Sequence, residues 1–540
     1  MKDISSTGSF IDFTLENFIY VDKTEYIPKL VKLKRVFISR PRRFGKSLTL
    51  DTIATLFETG VEPYFKGTWI YDKWTEPTYP VLRLNFLNFA KNSIEKFNNK
   101  LNSKITEFAE LNHVTTFKEK EEAEDSIDHL LEQLRLENRQ IVILIDEYDC
   151  QMTANINNET LYKQFQEKIK SFYDTIKNKW PIKFLGITGV TRLKDVEIFS
   201  IGSDIRDITN ASAYSQMIGF TRDEIKRYYI DYLKLAVSYE NKCRVEEVTD
   251  TQIESMLDMM AQNYDGYCFD EFYKKKVFST WSVNSFFQSI IENKFVYFDE
   301  YWYDNGGLPS ILVNYLKTHE LNIFEYLDKD KFLKVSSDDF KNPTALTTIN
   351  QNVLMCQTGY LTLRSDLKKS STVLLGIPNG EIYKALNRLL AKNIFKGNSD
   401  VTDDQGKNLL EVGSVDDIIN LFNCALNSVS YDNYPIVSES SVQNMLKLYL
   451  LGAHQEVLSE VHEAKGRADL VVNTDNKRIV FEFKYAKNET EAKSKLSEAV
   501  EQIKSRDYGN ILPKKNELLR IAAVFNADPK VRAFTEYQEV

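Results

Sequence analysis

The chain has 540 residues and a formal net charge of −9, too long for one core and too acidic to coat nucleic acid by bulk charge. With 43% hydrophobic and 27% charged residues it reads as an ordinary soluble globular protein. There is no apolar run of about 18 residues to cross a membrane, no secretory core in Met1 to Phe10, and no Cys-x-x-Cys pair among Cys150, Cys243, Cys268, Cys356 and Cys424, so a cytoplasmic protein without a membrane partner is expected.

Residues 1–218 alternate short apolar runs with charged stretches of helical period, such as 91–138. That order predicts a mostly parallel sheet, with ligands at the carboxyl ends of its strands. The first run, Val36-Phe37-Ile38-Ser39, leads into Arg40-Pro41-Arg42-Arg43-Phe44-Gly45-Lys46-Ser47 and then a helix. Gly45 lets the backbone approach a phosphate. Lys46 is placed to reach the β- and γ-phosphates, Ser47 to coordinate Mg²⁺, and the helix start to bind the anion. Arg42 and Arg43 join them as candidate nucleotide-binding residues. Where the general pattern has its first glycine, this chain has Arg40.

Val81 to Phe86 is the next apolar run, and Ile141-Val142-Ile143-Leu144-Ile145 follows, ending in Asp146-Glu147. Two carboxylates at a buried strand's end suit nucleotide hydrolysis. Asp146 would hold Mg²⁺ and Glu147 would orient the attacking water. The run Ile182 to Ile187 ends at Thr188, with Arg192 in the following loop. Either could sense the γ-phosphate, or the segment is an ordinary solvated loop.

Residues 219–430 read as a mainly helical lid and connector. Thr221-Arg222-Asp223-Glu224 has the pattern of a capping box. Tyr264, Tyr267, Trp281, Tyr301 and Trp302 are read as core and interface residues rather than a stacking platform for bases. Asn305-Gly306-Gly307-Leu308-Pro309 is read as a turn and Gly397 to Lys407 as a surface loop.

Residues 431–540 hold a second constellation. Val442, Met445, Leu446 and Tyr449 repeat at helical spacing. Two strands follow, joined by Asn473-Thr474-Asp475-Asn476-Lys477. Strand alternation puts Asp469 opposite to Ala468, Leu470 and Val472. It puts Glu482 and Lys484 on the face away from Ile479, Phe481 and Phe483. In a hairpin, Asp469, Glu482 and Lys484 meet. Two carboxylates there can hold Mg²⁺ or Mn²⁺, and Lys484 can position the attacking water. Glu463 is a candidate third carboxylate, Gln502 lies on the next helix, and His454 and His462 flank the site. Leu518 to Phe525 would complete a small mixed sheet. From spacing alone, a salt-bridged exposed strand face gives the same letters.

Tyr20-Val21-Asp22-Lys23-Thr24 followed by Arg40-Pro41-Arg42-Arg43-Phe44-Gly45-Lys46-Ser47 resembles the AAA-ATPase-like proteins that carry a C-terminal PD-(D/E)xK nuclease domain. Gly186 to Arg192, Gly219-Phe220-Thr221, Tyr264-Asp265-Gly266-Tyr267, Gln357 to Thr362 and Pro378-Asn379-Gly380-Glu381 extend the likeness over about residues 10 to 530. Gly466-Arg467-Ala468-Asp469 and Phe481-Glu482-Phe483-Lys484 are similar to that superfamily's core motifs. The resemblance implies Arg40 as a family feature, an α/β chain with a P-loop ATPase domain at 1–218, a helical connector at 219–430, and a restriction-endonuclease-like α/β domain at 431–540. It implies ATP and Mg²⁺ or Mn²⁺ as cofactors and a nucleic-acid substrate, DNA ahead of RNA. A homo-oligomer fits as well, with an arginine supplied across subunits. The alternative is a nucleotide-gated module that grips nucleic acid or a partner without cutting. Nothing in the chain suggests strand tracking by a helicase.

Overall fold

In the computed structural model the described residues are all except 6, 194–203, 303–309, 317–321, 344, 396–408, 454 and 464. The turn expected at 305–309, the whole of the loop expected at Gly397 to Lys407, and His454 lie outside them. The chain parts into two compact units, one of Met1–His319 with Phe332–Ile382, the other of Glu320–Lys331 with Tyr383–Val540. The boundary at 382/383 falls inside the segment 219–430.

The first unit is built on five parallel strands: β1 (Arg35–Ser39), β2 (Val81–Asn85), β3 (Ile141–Asp146), β4 (Ile182–Gly189) and β5 (Arg206–Asp207). Their order is β2-β3-β4-β1-β5. β1 and β3 are buried along their whole length, as continuous apolar runs in a sheet covered on both faces must be. Helix α1 (Lys46–Thr59) follows β1 directly. The charged stretch 91–138 forms α2 (Ile94–Leu111) and α3 (Ala123–Leu136), each with one buried stripe. α4 (Glu159–Ile176) packs beside them and leads to β4.

From Thr221 the unit is mainly helical. The expected capping box forms: the Thr221 side chain accepts from the Glu224 N–H, and Glu224 accepts from the Thr221 N–H, at the start of α5 (Arg222–Tyr228). α6 (Ile230–Asn241), α7 (Asp250–Tyr264) and α8 (Thr280–Asn293) enclose an aromatic-rich core of Tyr229, Tyr232, Tyr264, Phe286 and Phe287. Tyr264, Tyr267 and Trp302 are fully buried, as the core reading requires, whereas Trp281 and Tyr301 are half-buried. Within this region β6 (Leu333–Ser336), β7 (Thr362–Leu363) and β8 (Thr372–Gly376) form a small antiparallel sheet that the helical expectation omitted. These strands are too short to leave a strong alternating pattern. α9 (Gln351–Thr358) precedes β7, and α10 (Gly380–Ile394) follows β8.

The second unit carries α11 (Val415–Asn427) and α12 (Glu439–Gly452), then a five-stranded sheet ordered β13-β12-β11-β10-β9. Its strands are β9 (Glu456–Glu463), β10 (Gly466–Asn473), β11 (Lys477–Ala486), β12 (Glu517–Asn526) and β13 (Ala533–Glu539). β11 and β12 run parallel and the other pairs antiparallel, the mixed sheet that was expected. α13 (Glu489–Arg506) packs on it, burying Ala499 and Ile503 against Ala468, Val480 and Ala522.

Candidate active sites

The phosphate turn starts where β1 ends. Gly45 caps α1 with φ +100°, a conformation open to glycine, and nothing lies within 4 Å of an added Cβ. Its requirement is thus conformational. The Lys46 ammonium, 4% exposed, donates to the carbonyls of Arg40 (3.1 Å) and Pro41 (3.2 Å) and lies 3.6 Å from Glu147. Ser47 Oγ donates to Asp146 Oδ2 at 2.6 Å, and Thr188 Oγ1 donates to Asp146 Oδ1 at 2.5 Å. The sheet order makes this possible, because β4 lies between β1 and β3 and brings Thr188 alongside both. Thr188 is buried and is not part of a solvated loop. Arg192 is held elsewhere: its guanidinium pairs with Asp207, and its backbone N–H and carbonyl are clasped by the Gln357 side chain.

Burial pushes the Glu147 carboxyl up from its ordinary range, and the Lys46 charge opposes this. Its backbone is left-handed, with φ +53°. Asp149, beside it, accepts from the Thr191 N–H at 2.6 Å and the Thr191 hydroxyl at 2.5 Å, tying the end of β3 to the end of β4. The Arg43 guanidinium stacks on Trp281 at 3.8 Å, and burial, then Arg42, lowers its pKa. Arg40 is fully buried on Phe269 at 4.1 Å and donates to the carbonyls of Ser39 and Thr209. Burial pushes its pKa down to about 9. Arg42, Arg43, Gly45, Lys46, Ser47 and Glu147 open onto one cavity of about 490 Å³, whose lining also includes Val21, Ile27, Leu30 and Met217. Groups that can bind phosphate together with apolar side chains suit a nucleotide. The hydroxyl of Ser47 with the Asp146 carboxylate is an oxygen donor set suited to Mg²⁺.

In the second unit the antiparallel ladder between β10 and β11 stops at Leu470–Phe481. The next pair would be Asp469 and Glu482. Instead, Asp469 Oδ2 accepts from the Phe483 N–H at 2.8 Å, and its backbone carbonyl accepts from the Gln443 side chain on α12. Lys484 Nζ donates to Glu482 Oε1 at 2.8 Å and lies 3.6 Å from Glu439, also on α12. Glu482 is fully buried, and its other oxygen, Oε2, has no hydrogen-bond partner. Asp469, Glu482 and Lys484 are therefore brought together, and Glu482 and Lys484 are buried rather than on an exposed salt-bridged face. α12 and α13 both pack on β11, so Glu482 and Lys484 are buried with the rest of it.

Burial raises the Asp469 carboxyl to about 6; the Phe483 N–H and Lys484 oppose this and Glu439 adds to it. Burial, then the Asp469 charge, raises Glu482 to about 7. Burial lowers the Lys484 ammonium, but the bond and charge of Glu482, with Glu439, override it and the net shift is upward. An orphaned buried carboxylate oxygen beside a second carboxylate is a fitting place for a divalent cation.

Glu463, expected as a third carboxylate, is elsewhere: both its oxygens accept from the Gly509 N–H, at 2.9 and 3.0 Å. Among the described residues, no three His, Cys, Asp or Glu side chains are grouped to hold a metal. Gln502 donates to Tyr508 rather than to the acids. Glu439 is the acidic group that sequence reasoning missed. Its signal was a polar stripe, Glu439, Gln443 and Lys447, at intervals of four along the helix.

The model of a predicted AAA-ATPase family matches residues 5–199, and that of a PD-(D/E)XK nuclease superfamily family matches residues 437–534. A protein of Azotobacter chroococcum mcd 1, described as an uncharacterized protein in the vnfD 5′ region, is 25% identical over 529 residues, covering 95% of this chain and 94% of its own. Among solved structures, the crystal structure of Cdc6p from Pyrobaculum aerophilum aligns with 69% of this chain and 92% of its own at 12% identity. The TM-score of 0.23 is too low to compare folds. No helix among the described residues is long and apolar enough to cross a membrane. The chain thus carries a predicted AAA-ATPase domain at residues 5–199 and a PD-(D/E)XK nuclease-superfamily domain at residues 437–534.

Proposed function

We propose that the chain is a metal-dependent nuclease whose activity is controlled by ATP bound and hydrolysed at its own phosphate turn. The observation that carries the nuclease reading is the meeting of Asp469, Glu482 and Lys484 where two strands part, with Glu482 Oε2 left without a partner. Asp469 and Glu482 would hold Mg²⁺ or Mn²⁺, with water and a substrate phosphate oxygen completing the shell. The bound cation lowers the pKa of a water and stabilises charge on the phosphodiester. Lys484 lies against Glu482 and would orient that water by hydrogen bonding. The Phe483 N–H holds the Asp469 carboxylate and the Gln443 amide holds its backbone carbonyl, and the remaining carboxylate lone pairs would be available to the cation. The substrate is nucleic acid, DNA ahead of RNA.

At the phosphate turn, Lys46 and the helix start would bind the β- and γ-phosphates, and Ser47 and Asp146 would hold Mg²⁺. Glu147 would orient the attacking water, and Thr188 keeps Asp146 in place. The deciding experiment is cleavage of single- and double-stranded DNA and of RNA, with Mg²⁺ or Mn²⁺, with and without ATP, beside a Glu482→Ala control. Cleavage lost in the control is expected, and ATP should change its rate. Nucleic-acid binding without cleavage under any condition would replace this reading with that of a nucleotide-gated binding module.

A further inference from the structure

Several motifs of the first unit have no part in the chemistry above: Tyr264-Asp265-Gly266-Tyr267, Gln357-Thr358-Gly359-Tyr360 and Pro378-Asn379-Gly380-Glu381. All of them lead back to the phosphate turn. The Asn379 side chain donates to the Asp265 carbonyl at 2.7 Å, locking the last motif to the first. Tyr267 packs edge-on against Phe44 at 4.7 Å between ring centres. Gly359, at φ +96°, lies so close to Pro41 that an added Cβ would come within 2.8 Å of it and 3.4 Å of the Trp302 ring.

At the centre of this packing is Glu381. It is a carboxyl group 2% exposed, and it accepts from the Trp302 backbone N–H and from the Ser282 hydroxyl, both at 2.7 Å. Trp302 is fully buried, and its indole N–H donates to the Arg42 carbonyl at 3.2 Å. Ser282 lies on α8 two residues from Thr280, whose hydroxyl donates to the Arg43 carbonyl at 2.9 Å. One carboxyl group therefore fixes both elements that hold the backbone of the turn. In a trans peptide, the carbonyl of one residue and the N–H of the next point in opposite directions. Holding the Arg42 carbonyl toward Trp302 turns the Arg43 N–H away from Trp302, which does not line the cavity, while Arg43 does.

We propose that Glu381, acting through Trp302, is a positioning residue of the nucleotide site, which sets the direction of the backbone N–H groups that the turn offers to a phosphate. The inference rests on the reading of that turn as a nucleotide site. Burial raises the Glu381 pKa to about 8, so a neutral group of the same shape serves there. Glutamine can accept from the Trp302 N–H and donate to the Ser282 hydroxyl, whereas alanine leaves the buried Trp302 N–H without its acceptor and leaves the Ser282 hydroxyl only Ser279 Oγ, at 3.0 Å.

The test is titration of a fluorescent ATP analogue with Mg²⁺ into the full chain, for the parent, Glu381→Gln, Glu381→Ala and Trp302→Phe. Glu381→Ala and Trp302→Phe should each weaken binding about five- to tenfold, and Glu381→Gln should stay within about twofold of the parent. Hydrogen exchange across residues 40–47 should quicken in the first two variants and not in the third. A folded Glu381→Ala chain that binds as tightly as the parent overturns the inference. So does a Glu381→Gln chain as impaired as Glu381→Ala. If Glu381→Ala does not fold, unchanged affinity in Trp302→Phe overturns it. A parent chain that binds no nucleotide instead removes the reading of the turn itself, and this inference with it.

Discussion

The phosphate turn and the Asp469–Glu482–Lys484 cluster solve opposite electrostatic problems. At the turn, charge is matched before any ligand arrives. Asp146 is held by two hydroxyls, Lys46 by two carbonyls and Glu147. In the second cluster charge is mismatched: two carboxyl groups share one lysine, and one oxygen has no partner. The first site is organised by hydrogen bonds within the protein. The second buries two carboxyl groups beside one ammonium, and that burial, more than their mutual repulsion, raises both acids toward neutrality. One needs only to admit its ligand, while the other gains stability from it.

The largest expected effects separate the two sites. Lys484→Ala or Asp469→Ala should lower cleavage by about a thousandfold or more and leave nucleotide affinity unchanged, measured by cleavage assay and by titration of the ATP analogue. Cleavage that survives both changes would remove the assignment. Lys46→Ala should weaken nucleotide binding by about a hundredfold, because it removes a charged donor to phosphate. Calorimetric binding of Mn²⁺ to Asp469 and Glu482 should be unaffected.

A pH experiment sharpens the contrast. Asp469 rises from 3.8 to about 6 and Glu482 from 4.5 to about 7, both mainly through burial. A raised folded-state pKa contributes stability that is complete below about pH 4 and is lost as pH climbs through 6 to 7. Lys484 and Glu439 face the pair, and Lys484, whose pKa is raised, keeps its charge over that window. A divalent cation replaces the protons, so Mn²⁺ should raise the melting temperature by several degrees at pH 8 and by about none at pH 5. Equal stabilisation at both pH values would show that the cation does not sit on these carboxylates. The smallest effect concerns Glu463. Glu463→Ala should cost about 1–2 kcal/mol of stability by freeing the Gly509 N–H, with cleavage kept within about twofold; abolished cleavage would return Glu463 to the metal site.

The sequence disclosed what local order determines. β1 and β3 were legible because a buried parallel strand needs an unbroken apolar run, and Lys46, Ser47 and Asp146 follow from their places at strand ends. Asp469, Glu482 and Lys484 could be paired because a hairpin has few registers. Their burial was not legible: alternation assigns them a face of β11 but does not show that α12 and α13 pack on that strand. β9 and β13 were missed for a related reason, since both are edge strands whose alternation is weak. Glu463 looked plausible by nearness in sequence, yet the partner that claims it, Gly509, is 46 residues away. Arg42 and Trp302 are 260 residues apart, and no local pattern could join them.

The packing behind the phosphate turn decides how far that turn can be moved. A loop whose shape is encoded in its own eight residues could be cut out and grafted between any strand and helix. Residues 40–47 are not such a cassette. Arg40 needs the ring of Phe269, Pro41 needs the bare α-carbon of Gly359, and the Arg42 carbonyl needs the indole of Trp302. Transplanted alone into a foreign scaffold, the segment would carry a buried cation and two carbonyls without their counterparts. Domain shuffling can therefore exchange this ATPase only as a block reaching at least to Glu381.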